Sequence, residues 1–316
     1  MKRPNLLGIG GAHIDRRGAM TADYIQGASI PGVMMEETGG GVFNALRVAV
    51  QFGVAATLIS VRGGDAAGEI VAADARRAGI EDLSSTFLDR TTASYTALLD
   101  RNGDVVAALA DMDIYENALP RQITRRKTRD AIAVADALLI DANMPEESIA
   151  RLMRIATGKP VYALAISPAK AVRLRPVLAQ LAGLYLNKRE ARAILGLSNH
   201  DYNSAANLAI ALRGTGLSRA VLTDGEGAVC ILDKGEIRLV TPPKPDRVED
   251  VTGAGDALAG ASLAAIISEK TFEYAVAQGL AAASATVETS KSVADFSSKA
   301  RFQALLAHIL IATPDI

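Results

Sequence analysis

The stretch Asp250-Val251-Thr252-Gly253-Ala254-Gly255-Asp256 runs directly into Ala257-Leu258-Ala259-Gly260-Ala261-Ser262-Leu263-Ala264-Ala265-Ile266, and its reading decides the fold. Glycines on either side of one alanine let the backbone turn tightly and aim successive N–H groups at one point. The small apolar run predicts a helix whose N-terminus faces that point, so the turn is a nest for an anion. Asp256 falls in the first helical turn, where a carboxylate beside an anion hole is costly unless it has work such as taking a proton from an attacking hydroxyl. The same letters also fit a plain glycine turn with Asp256 as a helix N-terminal charge, so the decision passes to the surrounding chain.

Working outward, strand-like and helix-like runs alternate. Leu6 to Ile9 reads as a short apolar strand entering Gly10-Gly11-Ala12-His13-Ile14-Asp15. After a loop-like segment, Thr38-Gly39-Gly40-Gly41-Val42-Phe43-Asn44 leads into a helix over Ala45 to Phe52, closed by Gly53. Strand Ala56 to Val61 and helix Ala66 to Ala78 follow, then helix Lys127 to Ala135, strand Ala137 to Asp141, helix Glu146 to Thr157, and strands Val161 to Ile166 and Leu184 to Leu186. Helix Ser204 to Arg213 and strand Ala220 to Thr223 come next, and three helical segments end the chain, at about Asp256 to Ile267, Phe272 to Glu288 and Ser297 to Ile311. This alternation predicts an α/β fold with a mainly parallel sheet covered on both faces. Two hairpins interrupt it, one across Arg101-Asn102-Gly103-Asp104 and one through Lys234-Gly235. The first predicts a small antiparallel layer, either a lid or a dimer contact.

Several residue types in these junctions suit ligand chemistry, each with a plainer reading beside it. Asp15 could accept hydrogen bonds from ligand hydroxyls or simply shape a turn. The triple glycine with Asn44 lets a ligand approach the backbone and offers both a donor and an acceptor, or it is a flexible loop with a cap. Asn187 and Glu190 lie three apart and could hold a hydrated Mg²⁺ or orient its waters, while Asn followed by Glu at that spacing also fits a capping box.

Composition narrows the classes. The 316 residues are 49 % hydrophobic, enough for one sizeable core, and 34 basic residues against 35 acidic ones invite neither nucleic acid nor a membrane surface. Cys230 is the only cysteine, which rules out an intrachain disulfide framework, and three histidines are a poor basis for a zinc site. The N-terminal residues lack the uninterrupted apolar run of a signal peptide, and no stretch has the length of a spanning helix, so a soluble, cytoplasmic protein is expected. The glycines at 10 and 11 are not in GxGxxG spacing, which argues against a nicotinamide-dependent oxidoreductase.

Taken together, the early glycines with Asn44, Gly64-Asp65 with Gly68, the Asn187 and Glu190 pair, the Thr223 and Gly225 loop and the TGAGD segment resemble the ribokinase-like (PfkB-type) carbohydrate kinases, in the same order along almost the whole chain. The resemblance implies a ribokinase-like three-layer α/β/α fold in a single kinase domain over 1–316. It also implies a small β-sheet lid from about 11–38 and 92–112. ATP would be the donor, contacted by Asn187, Thr223, Gly225 and Thr252, with Mg²⁺ at Asn187 and Glu190; the family often uses a monovalent cation such as K⁺ as well. Asp256 would be the base, and the amides of Gly253, Ala254 and Gly255 would stabilise the transferred phosphoryl group.

Within that family the chain is most similar to the pseudouridine kinases, through Gly10 to Asp15, Ser94 to Asp100, Ala110 to Ile114 and Asp141-Ala142-Asn143. By that analogy Asp15, Gly40, Asn44 and Asn143 would contact the ribose, and Asp111 to Asp113 would lie near the base. A kinase of ribose or another nucleoside, and a non-catalytic sugar or nucleoside sensor, are the alternatives. The open edge of a hairpin lid must be covered, and pairing two lids across a homodimer would do so.

Overall fold

The structure is a computed structural model that describes residues 3–198, 204–297 and 299–312. Its centre is a nine-stranded sheet. Strand Asn5–Ile9 lies between Ala55–Ile59 and Ala137–Asp141, and Val161–Leu164, Gly183–Asn187 and Arg219–Thr223 continue outward, all parallel. Their near-continuous apolar runs are what a strand buried on both faces requires. Successive side chains alternate between two cores: Leu6 and Leu139 enter one, Leu7, Leu138 and Ile140 the other. Helices Gly41–Gln51, Ala66–Arg77, Ala254–Ile267 and Phe272–Val287 cover the first face. Helices Arg126–Val134, Glu146–Ile155, Lys188–Leu195 and Ala205–Gly214 cover the second. The expected three-layer arrangement is therefore present.

The second hairpin, Val229–Asp233 with Glu236–Val240, does not join a lid but extends the central sheet as an antiparallel edge. A separate four-stranded sheet holds the lid-like segments, in the order Gly32–Gly39, His13–Met20, Ser94–Leu99, Val105–Asp111. The first hairpin is antiparallel within it, as its turn chemistry dictates, with Gly103 at φ +86°. The layer is nevertheless mixed, because His13–Met20 runs parallel to Ser94–Leu99. The segment read as loop-like before the triple glycine is thus mostly strand. Its residues, such as Asp15-Arg16-Arg17 and Glu36-Glu37, carry too little apolar character on either face to announce a strand.

The following helix begins at Gly41 rather than Ala45, so Asn44 lies in its first turn and donates its amide to the Gly40 carbonyl at 2.8 Å. Gly40, at φ +113°, supplies the turn that starts it, and a Cβ there would lie 2.4 Å from the Gly11 carbonyl oxygen. Helices Gly41–Gln51 and Ala254–Ile267 then pack very closely, because Gly260 presents no Cβ to the Ala45 carbonyl, 2.2 Å from where one would sit. Among the described residues no helix is long and apolar enough to cross a membrane.

Candidate active site

The parallel strands end at one edge of the sheet, where Ile9, Asp141, Leu164, Asn187 and Thr223 are succeeded by loops, the place where open α/β sheets bind ligands. The Gly253 turn faces the same region. Gly253 adopts φ +81° and caps the helix Ala254–Ile267, and a Cβ on it would overlap the Ser292 carbonyl, so glycine is required both by conformation and by contact. Of the predicted donors, the Ala254 amide is occupied by the Val251 carbonyl at 3.3 Å, while the Gly253 and Gly255 amides have no main-chain acceptor among the described residues. Space lies open in front of Gly255. The nest therefore offers two amides here rather than three.

Asp256 follows on the first turn, and the glycine contact between the two helices brings Asn44 to it: Asn44 Nδ2 donates to Asp256 Oδ2 at 2.9 Å. Desolvation raises the Asp256 carboxyl to about 7, with the charges of Asp141 and Asp15 pushing the same way and the Asn44 hydrogen bond and Arg47 opposing. A carboxyl poised near neutrality is well matched to removing a proton from a hydroxyl. Asn44 Oδ1 is buried without a protein partner, an acceptor left for a ligand donor. Close by, Ile166 holds φ +69°, strained for a β-branched residue, and its Cδ1 packs on Gly41.

Asp15, Gly40 and Asn143 gather on the same side. Asp15 lies against the bare Cα of Gly39 and accepts from His13 Nε2 at 3.3 Å when that imidazole is protonated there. Asn143 packs on Gly11, and its Oδ1 accepts from Lys170 Nζ at 2.6 Å. Burial lowers the pKa of Lys170, with the Arg173 charge acting the same way and Asp141 against it. Asp111 stands apart, exposed at the end of the outer strand Val105–Asp111, opposite Ser94.

Asp141 and Lys170 were absent from the sequence-derived candidates. Asp141 is fully buried, accepting from the Gly11 amide at 2.9 Å and the Asn143 amide at 3.0 Å, and it fastens the loops that carry these two residues together. Its signal was available: a carboxylate ending the otherwise apolar run Ala137-Leu138-Leu139-Ile140 needs partners. Lys170 lies within the helical turn Pro168–Ala171, which runs into the 3₁₀ stretch Val172–Gln180, and these short turns gave no periodicity to read.

The second group lies on adjacent strands, with Asn187 in register with Thr223 and Gly225 just beyond at φ +59°. Asn187 and Glu190 form a capping box: Asn187 Oδ1 accepts from the Glu190 amide at 3.0 Å and Glu190 Oε2 from the Asn187 amide at 2.8 Å. Burial raises the Glu190 pKa. Among the described residues no cluster of three or more His, Cys, Asp or Glu could hold a metal alone, so the donor set fits only an ion that brings its own waters and anionic ligand. Thr252 is exposed, its amide donating to Asp250 Oδ1 at 2.8 Å.

The profile of the pfkB family carbohydrate kinases matches residues 10–299. The pseudouridine kinase of Escherichia coli (strain K12) is 31 % identical over 252 residues, 79 % of this chain and 80 % of that protein. A carbohydrate kinase from Agrobacterium tumefaciens of solved structure is similar at 45 % identity and a TM-score of 0.85, covering 97 % of this chain and 98 % of that one. Arabidopsis thaliana ribokinase, solved with ribose and ATP, shares the fold at a TM-score of 0.84 and 19 % identity, over 96 % of this chain and 99 % of that one. With a carboxylate and a glycine nest at the sheet edge and a family match over most of its length, the chain belongs to the pfkB family of carbohydrate kinases.

Proposed function

We propose that this kinase transfers the γ-phosphoryl group of ATP to the 5′-hydroxyl of pseudouridine, giving pseudouridine 5′-phosphate and ADP. The observation that carries the reading is the Asp256 carboxyl, raised to about 7, fixed by Asn44 and set beside the unengaged Gly253 and Gly255 amides. In the reaction Asp256 accepts the hydroxyl proton as that oxygen bonds to the γ-phosphorus. The bond from the γ-phosphorus to the β,γ-bridging oxygen breaks, and ADP leaves with those electrons. The two amides, fixed before the substrate arrives, stabilise charge on the equatorial oxygens, which is most of what phosphoryl transfer asks of a protein.

Asp15, Gly40 and Asn143 would align the ribose, with Asn44 Oδ1 accepting from one of its hydroxyls, and Asp111 would lie toward the base. Asn187, Thr223, Gly225 and Thr252 would receive the nucleotide. Mg²⁺ bound with ATP would neutralise phosphate charge, its waters reached by the Glu190 oxygen not used in the capping box. A monovalent cation such as K⁺ near Asp250 to Thr252 belongs to the same reading, although the Asp250 carboxylate there is engaged by Arg17. The small sheet would act as the lid that excludes water.

The preference for pseudouridine rests on the 31 % identity to the Escherichia coli enzyme over 79 % of this chain. The test is ATP consumption measured across pseudouridine, uridine, inosine, adenosine and ribose. The highest kcat/KM is expected for pseudouridine; turnover of ribose with none of pseudouridine would sink the assignment.

A further inference from the structure

Asp15 and Arg17 project from the same face of strand His13–Met20, two residues apart, but they serve different neighbours. Asp15 lies on the acceptor side, against Gly39. The Arg17 guanidinium reaches the other way and forks between two carboxylates on separate elements: Nη1 bonds Asp250 Oδ2, and Nη2 donates to Glu37 Oε1 at 2.6 Å. Asp250 uses its second oxygen to accept the Thr252 amide, which shapes the turn entering Gly253. Glu37 also accepts from the Ser292 hydroxyl, and the Ser292 carbonyl is the group that packs on Gly253. The contacts therefore close a ring, from Arg17 to Asp250, through the Gly253 turn to Ser292, and back by Glu37. The ring joins the small sheet to the amide loop from both sides.

Arg17, Asp250 and Glu37 are only partly exposed, at 19 %, 18 % and 26 %, and Ser292 is buried, so the ion pairs are less screened than surface ones. Nothing in strand geometry demands an arginine at this position, since its neighbours across the sheet are Met35 and Ala97. A planar two-pronged cation is what two carboxylates on different elements require, and lysine lacks the fork.

We infer that Arg17 is a positioning residue that couples the small sheet to the amide loop, holding Gly253 to Gly255 in register with Asp256 when the sheet carries an acceptor at Asp15. The inference rests on the kinase reading above but is separable from it. Arg17 touches no reacting atom in this account and acts through Asp250.

The test uses the full chain with Arg17→Gln, Arg17→Lys, Asp250→Asn and the Arg17→Gln/Asp250→Asn double variant. For Arg17→Gln, kcat should fall on the order of tenfold, with KM for the acceptor changed less than threefold. Arg17→Lys should recover part of the loss, and the double variant should be no slower than the worse single one, because both remove the same link. Hydrogen–deuterium exchange supplies a readout independent of turnover: peptides covering 249–256 should exchange faster in Arg17→Gln while those covering the central strands are unchanged. Unaltered exchange at 249–256, or additive losses in the double variant, would overturn the inference. Inactivity of the parent protein toward every acceptor would instead overturn the kinase reading, and the exchange result would still decide the role of Arg17.

Discussion

At the residue scale, the proposed chemistry turns on one carboxyl kept neutral longer than usual. Asp256 is raised from an ordinary 3.8 to about 7, chiefly because it is desolvated, so below neutrality it is protonated and has no capacity to accept a proton. The turnover rate of the parent should therefore rise with pH through about 7 and level off above it, and a profile flat from pH 5.5 to 8.5 would contradict the role. Asp256→Asn should lower kcat on the order of 10²-fold or more. The same shift has a stability consequence with a definite sign. Because the folded-state value lies above the unfolded one, the contribution of Asp256 to stability is fully present below the unfolded value and is lost as pH rises through about 7. The loss at pH 8 is at most roughly 4 kcal/mol for a shift from 3.8 to about 7. Asn is neutral at every pH and can still accept from Asn44 through its own carbonyl, so the inactive variant should melt higher than the parent at pH 8 and by a clearly smaller margin at pH 5, inside the window between 3.8 and about 7 over which the parent loses stability. An Asp256→Asn variant less stable than the parent at pH 8 would mean that the carboxylate is not held against its solvation preference.

At the element scale, the site depends on how closely two helices approach. Gly260 lies one turn beyond Asp256, and Ala45 is next to Asn44, so the Gly260 to Ala45 contact sets the separation across which Asn44 reaches the carboxyl. Gly260→Val would drive a side chain into the Ala45 main chain and push the helices apart. A loss of about 1–3 kcal/mol in denaturant unfolding is expected, together with a fall in kcat as Asn44 separates from Asp256; a variant with unchanged stability and rate would show that the contact is not tight. This dependence also marks how far the sequence could be read. The parallel strands were legible because burial on both faces demands unbroken apolar runs, and Asp256 stood out as a candidate only because the glycine turn before its helix came in one order with the other motifs of the chain, since the turn alone fits a plain helix start equally well. The Asn187 and Glu190 spacing suited both a capping box and a metal, and the structure shows the box. What stayed hidden were features that need a third dimension. Strands His13–Met20 and Gly32–Gly39 mix charged with apolar residues and leave much of their surface exposed, so they lack a two-residue apolar period. Arg17 and Asp250 lie 233 positions apart and declare nothing until the fold joins them.

At the scale of the whole molecule, the small sheet raises the question of what covers its outer face. Register places Gly18 opposite both Met34 and Leu98, with Thr96 opposite Leu109, so these side chains share the face turned away from Asp15 and Arg17. Ala97, on the inner face, is buried, whereas Met34 is 56 % and Leu109 70 % exposed. An apolar strip on a two-sided sheet, flanked by the Arg16 to Glu36 ion pair, is poorly suited to water and well suited to a symmetric partner, since a two-fold axis sets the same strip against itself. A homodimer joined through this sheet is the expected assembly. Sedimentation or light scattering at tens of micromolar protein should give twice the chain mass, and Met34→Lys with Leu109→Lys should return it to the chain mass, because each interface would then bury four uncompensated ammonium groups. Those positions lie on the face away from Asp15, so any accompanying rise in acceptor KM would report a lid that relies on its partner for rigidity. A parent protein that sediments as a monomer, or a dimer that survives both lysines, would remove the outer face of this sheet from the assembly.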